Sequence, residues 1–125
     1  EEKVAELVER WGMKERVIYS SFNHYSIQRI RSLDPEAETA YLFGDILLHA
    51  ERYARETGVK GLHPALYHMA MGTLAQEYTG SGLAVRVWTV NEEAHIRRML
   101  DLGVDAIITN YPDRGARLRD EMEKR

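Results

Sequence analysis

The sequence contains no cysteine. That absence removes disulfides, thiolate metal sites and cysteine nucleophiles together, and it fits a reducing compartment, for which the cytoplasm is the default. Long apolar runs are missing too. Nothing approaches the ~20 residues needed to span a bilayer, and residues 1–12 carry a charged helical pattern where a signal peptide would be apolar. Nor does charge of one sign dominate: 17 basic and 20 acidic residues are interspersed and leave a formal charge of -3. Neither nucleic acid nor another polyanion is an expected partner. No glycine-rich phosphate loop is present, because Gly80-Ser81-Gly82 precedes a strand pattern instead of a helix and cannot aim helix N-terminal amides at an anion. No serine sits in a nucleophile-elbow context, and basic and aromatic residues are not interleaved as in single-strand binders.

What remains is a chain of 125 residues, 44% hydrophobic and 30% charged, soluble in composition and able to bury one modest core. Val4, Leu7, Val8 and Trp11 recur at helical spacing before Gly12, which predicts an amphipathic helix over residues 1–12. A strand-then-helix unit follows and repeats. Val17 to Phe22 reads as a strand, with Asn23 capping a helix that buries Ile27, Ile30 and Leu33 before Asp34-Pro35. Thr39 to Phe43 is the next strand, and Asp45 caps a helix with Ile46, Leu47, Ala50, Tyr53 and Ala54 on its inner face. Val59 to Leu62 is a short third strand, with a helix running through Leu66, Ala70, Leu74 and Tyr78. Leu83 to Val90 is the strongest strand, and Asn91 caps a helix buried through Ile96, Met99 and Leu100. Val104 to Thr109 is the last strand, apolar enough to be covered on both faces, before a helix opened by Asp113. Alternation of this kind demands crossovers and a parallel sheet. Pattern alone leaves a small doubly wound sheet and an arc of a barrel as equal choices. A complete β/α barrel needs about 250 residues, so this chain supplies about half of one.

Three segments go beyond pattern. Ile18-Tyr19-Ser20-Ser21-Phe22-Asn23, Val87-Trp88-Thr89-Val90-Asn91 and the run from Gly103-Val104-Asp105 through Ile107-Ile108-Thr109 to Pro112 occur in that order, with Gly61-Leu62-His63-Pro64 between the first two. Together they resemble the second half of a glycerophosphodiester phosphodiesterase, in register from about Val4 to the C-terminus. Ala106 and Asn110 depart from the glycine and aspartate that many relatives carry, so the loop after the last strand is expected to differ in shape.

The resemblance implies an α/β fold that is the C-terminal half of a (β/α)8 barrel of the phospholipase-C-like phosphodiesterase type. One domain is expected over residues 1–125, running from the fourth helix of such a barrel to the eighth. It also implies a divalent-metal hydrolase, using Mg or Ca, that cleaves glycerophosphodiesters to glycerol 3-phosphate and an alcohol. The catalytic histidines and metal carboxylates belong to the family's first half, so no catalytic residue and no complete metal site is expected here. The resemblance assigns Trp88 to the substrate pocket, and Phe22 and His63 join it as substrate-binding candidates because each lies at a predicted C-terminal strand end. A core role for Trp88 is the plain alternative. His24, His49, His68 and His95 fall on predicted helices or caps and are read as solvated or packed, and a metal site from His63 and His68 is set aside because Pro64 interrupts the spacing. The other reading of the chain is a non-catalytic half barrel that pairs with itself or with a separate N-terminal half.

Overall fold

The computed structural model describes residues 1–124. They divide into two compact units, Glu1–His63 and the residues from Pro64 onward, each with buried apolar residues of its own.

The first unit runs α1 (Glu2–Arg10), β1 (Ile18–Ser21), α2 (His24–Leu33), β2 (Glu38–Phe43), α3 (Ala50–Glu56) and β3 (Gly61–Pro64), with Pro64 itself counted in the second unit. β2 lies between β1 and β3. β1 and β2 are parallel, in a register that sets Ser20 beside Ala40 and Ser21 beside Tyr41. α2 begins as its sequence predicts, with the Asn23 side chain accepting from the Tyr25 and Ser26 amides, which satisfies two of the four donors a helix start leaves open. It buries Ile27 and Ile30, α3 buries Ala50 and Ala54, and β2 contributes Ala40, Tyr41 and Phe43.

Three expectations for this unit need correction. α1 has the predicted spacing, yet it buries no residue, and Val4, Leu7 and Trp11 are exposed. Polar contacts join its start to α2: Glu1, just before α1, accepts from Ser26, and Glu2 pairs with Arg29. Leu33, predicted inward, is also exposed. The predicted helix at Asp45 starts only at Ala50, because His49 takes a left-handed conformation at φ 56° that breaks any continuous turn through it. Ile46, Leu47 and Leu48 therefore lie in the preceding loop, with Leu48 93% exposed.

The second unit continues with a 3₁₀ turn at Leu66–Ala70, α4 (Gly72–Thr79), β4 (Ala84–Trp88), α5 (Glu93–Leu102), β5 (Ala106–Ile108) and α6 (Pro112–Glu123). The stretch from Leu66 to Tyr78 is thus two elements instead of one helix. β4 and β5 are parallel, with Trp88 beside Ile108. Ala65 makes an isolated parallel bridge to Trp88, and the Trp88–Thr89 peptide is cis. Val85 and Val87 form the buried side of β4, and Ile96, Met99 and Leu118 from α5 and α6 are buried with them. Gly103 closes α5 at φ 75°, the left-handed geometry its sequence position predicts. β5 departs from expectation: Ala106 and Ile108 are exposed and only Ile107 is partly covered. Within this unit β4 pairs with one edge of β5, and the exposure of Ala106 and Ile108 shows that its apolar composition is not matched by cover on both faces.

Asp105 joins the strands ahead of β5. Its amide donates to the Val85 carbonyl at 2.9 Å, and its carboxylate accepts the Val85 amide at 2.7 Å. Among the described residues no helix is long and apolar enough to cross a membrane.

Gly58 shows what a side chain would disturb. It sits at φ 77°, and a Cβ there would come within 2.7 Å of the Arg31 guanidinium carbon. That guanidinium donates to the Thr57 carbonyl at 2.6 Å and to Gln28 at 3.0 Å. Gly58→Ala is expected to cost about 1–3 kcal/mol by combining left-handed strain with displacement of Arg31. In an Arg31→Ala background the cost should shrink to the backbone part, which paired chemical denaturation curves would show.

Candidate functional site

Parallel strands bring all their C-terminal ends to one end of a sheet, which is where β/α barrels build their sites. In the first unit those ends carry Ser20, Ser21 and Phe22 after β1, the loop from Gly44 after β2, and His63 on β3. Phe22 is 61% exposed, consistent with a surface contact and not with a core position. His63 is the opposite, at 3% exposed. Its Nδ1 lies 2.8 Å from Ser20 Oγ, although β2 runs between the two strands. The span is made possible by Ala40, Ser20's neighbour in register. Registered neighbours point to the same face, and a methyl there leaves room for an imidazole to reach across.

In the second unit Trp88 ends β4 and is half buried, on the side opposite Val85 and Val87. It therefore does not belong to the apolar face that packs beneath the helices. The segments that follow β4 and β5 are held together by Asn91. Its Oδ1 accepts from the Thr109 hydroxyl at 3.0 Å and the Asn110 amide at 2.9 Å, its carbonyl accepts from Arg114 at 2.7 Å, and the neighbouring Val90 amide donates to Ile108. The sequence reading made Asn91 a helix cap. Glu92 occupies that position instead, without a side-chain capping bond, because the Asn91 side chain is already engaged by the next strand end. Asp113 likewise falls inside α6, which opens at Pro112 after Tyr111.

Sequence reasoning overlooked an aromatic cluster at the strand ends of the first unit. His24 opens α2 and stacks on Tyr41 at 4.1 Å between centroids, while Tyr41 stacks on Tyr53 at 4.7 Å. His24 Nε2 donates to the Leu42 carbonyl at 3.1 Å, which leaves Nδ1 to accept from the Tyr53 hydroxyl at 2.9 Å. Tyr41 in turn donates to Thr57 and accepts from Gln28. Only local signals for a solvated cap were available at His24, and its partner Tyr53 is 29 positions away. His68, also read as solvated or packed, is fully buried in the second unit with its Nδ1 3.3 Å from the Tyr78 hydroxyl.

Within either unit taken alone, no three histidine or carboxylate ligand atoms converge among the described residues. The strand ends offer hydroxyls, an imidazole, an amide and aromatic rings, and the carboxylates that follow them, Asp45, Glu92 and Asp113, do not gather into a three-ligand set inside either unit. That donor set does not fit a hard divalent cation, which calls for several carboxylate oxygens.

Burial pushes the Tyr53 phenol up from its ordinary value of 10 to about 12, and the adjoining Tyr41 phenol adds to the effect. A folded-state value above the unfolded one means that the stabilisation is complete below pH 10 and is lost as pH rises toward about 12. Ultraviolet titration of the phenolates should show a late-ionising component near pH 12 that disappears in Tyr53→Phe, and the wild-type melting temperature should fall as pH rises from 10 toward that value.

Comparison with known proteins places this geometry. The family model described as "Glycerophosphoryl diester phosphodiesterase family" matches residues 1–114. A glycerophosphodiester phosphodiesterase of Bacillus altitudinis is 36% identical over 98% of this chain and 51% of its own length. A glycerophosphodiester phosphodiesterase structure from Parabacteroides distasonis superposes with a TM-score of 0.86 at 24% identity, over 98% of this chain and 50% of that one. A phosphodiesterase structure from Oleispira antarctica, in complex with the product sn-glycerol-3-phosphate, superposes with a TM-score of 0.70 at 22% identity, over 82% of this chain and 41% of that one. The α/β fold class is therefore the one the resemblance implied, about half of a phosphodiesterase chain. The chain spans about half the length of the curated relatives it matches, and it belongs to the glycerophosphoryl diester phosphodiesterase family.

Proposed function

We propose that this chain is the substrate-facing half of a metal-dependent hydrolase that cleaves glycerophosphodiesters to glycerol 3-phosphate and an alcohol. The observation that carries the reading is the family match over residues 1–114, supported by Phe22, His63 and Trp88 all falling at C-terminal strand ends. In this reading Trp88 and Phe22 supply apolar contact to the glycerol or leaving-group side, and Ser20, hydrogen-bonded to the buried His63, lies toward the ester. The metal, Mg or Ca, is held by the family's other half, as are the histidines that move protons. This chain's residues bind and orient.

The chain alone is therefore expected to release no glycerol 3-phosphate from glycerophosphocholine with Mg²⁺ or Ca²⁺ present. Turnover that copurifies with this chain through repeated fractionation would place catalytic groups in it. With the complementary half restored, Trp88→Ala should depress turnover or raise KM more than it lowers melting temperature. A core role predicts the reverse, with a stability loss of about 3–5 kcal/mol and normal kinetics in the surviving fold.

The exposed stripe of Val4, Leu7 and Trp11 on α1 and the uncovered Ile108 on β5 favour a second reading, an assembly module. Each exposed aliphatic side chain of this size forgoes about 1.5–3 kcal/mol of burial, and an uncovered strand edge invites pairing. Sedimentation across a concentration series is expected to show association of the chain with itself, or with a supplied N-terminal half. A monomer that stays monomeric with that half present would dismiss this reading.

A further inference from the structure

At the strand ends of the first unit, the pair Ser20 and His63 combines a short polar contact, 2.8 Å, with a sharp contrast in exposure. His63 is 3% exposed, while Ser20 is open to solvent. A ligand arriving at these strand ends meets the serine hydroxyl, and the imidazole is out of its reach. Resting on the function proposed above, we infer that Ser20, not His63, is the group that contacts the phosphate ester, and that His63 is its positioning residue.

The chemistry follows from what each group can donate. A serine hydroxyl has one proton and two lone pairs, and a neutral imidazole has one ring nitrogen that donates and one that accepts. When His63 carries its proton on Nδ1, it donates to Ser20 Oγ across the 2.8 Å contact, and the serine proton is free to turn outward. A phosphoryl oxygen only accepts, so an anionic phosphate ester selects that tautomer. When the proton sits on the other ring nitrogen, Ser20 must donate inward to Nδ1 and offers a ligand only lone pairs, which suit an alcohol. The pair thus favours a phosphoryl oxygen in one tautomer and a hydroxyl in the other, and the proposal commits to the first.

Burial makes this a positioning device. Ala40, 0% exposed, lies beside Ser20 in register, and β2 carrying it is flanked by β1 and β3. The serine hydroxyl is held by a side chain that arrives from two strands away, so its direction is set by the sheet and not by a mobile loop.

The test uses this chain with sn-glycerol 3-phosphate as probe and glycerol as control, followed by nuclear magnetic resonance. The His63 ring ¹⁵N shifts should move toward the Nδ1-protonated form on addition of sn-glycerol 3-phosphate and not of glycerol. Ser20→Ala should weaken binding about tenfold, equivalent to about 1.4 kcal/mol, with the fold retained. Ser20→Thr, which keeps the hydroxyl, should restore binding to within about threefold of wild type. Wild-type affinity in Ser20→Ala, or unmoved His63 nitrogens in a chain that binds the probe, overturns the inference and leaves the phosphodiesterase reading standing. Failure of the unaltered chain to bind sn-glycerol 3-phosphate overturns the substrate-facing reading of these strand ends, and the role of Ser20 with it.

Discussion

Parallel pairing is the constraint from which the other features follow. Two parallel neighbours cannot be joined by a tight turn, so the chain must travel back along the sheet between strands, and it does so as a helix that covers one face. β1 and β2 are joined in this way by α2, and β4 and β5 by α5. The return trip also fixes polarity. Every strand finishes at the same end of its sheet, and the residues that follow a strand are the first free to be chosen for chemistry instead of packing. Ser21 and Phe22, or Thr109 and Asn110, are such residues.

Two kinds of polar contact then fix those ends. In the second unit Asn91 binds the next strand's Thr109 and Asn110 together, so that segments separated by 18 and 19 positions become one polar patch. In the first, the aromatic cluster of His24, Tyr41 and Tyr53 ties the start of α2 to β2 and α3. Such fixing serves the binding role proposed for these strand ends. Its contribution to affinity depends on side chains that need no ordering when a ligand arrives.

Much of this was legible in the sequence, for reasons particular to each residue. Asn23 and Gly103 carry local signals, a side-chain acceptor and a tolerance for positive φ, and both act as read. The alternation of strands and helices was legible because apolar period changes from two to 3.6 wherever an element ends. What failed was non-local. Ile46 and Leu47 have helical spacing relative to Ala50, and nothing near them announces that His49 turns left-handed. The apolar run Ala106 to Ile108 says that cover is wanted, not that it is provided. His63 was singled out from its motif, but its contact with Ser20, 43 positions away, has no local signal.

Asp105 belongs to a motif read for kinship, and its contacts show a task unrelated to phosphate chemistry. A strand can slip along its neighbour by one residue at little cost to its backbone bonds, and such a slip turns each side chain to the wrong face. Asp105 returns two bonds to Val85, one from its amide and one through its carboxylate. Were β5 displaced by one place, Val104 or Ala106 would stand opposite Val85, and neither has a side-chain oxygen with which to receive that amide. The carboxylate thus works as an alignment key: it is satisfied at one offset only, so an acidic residue in a family signature can be kept for reading distance along a strand.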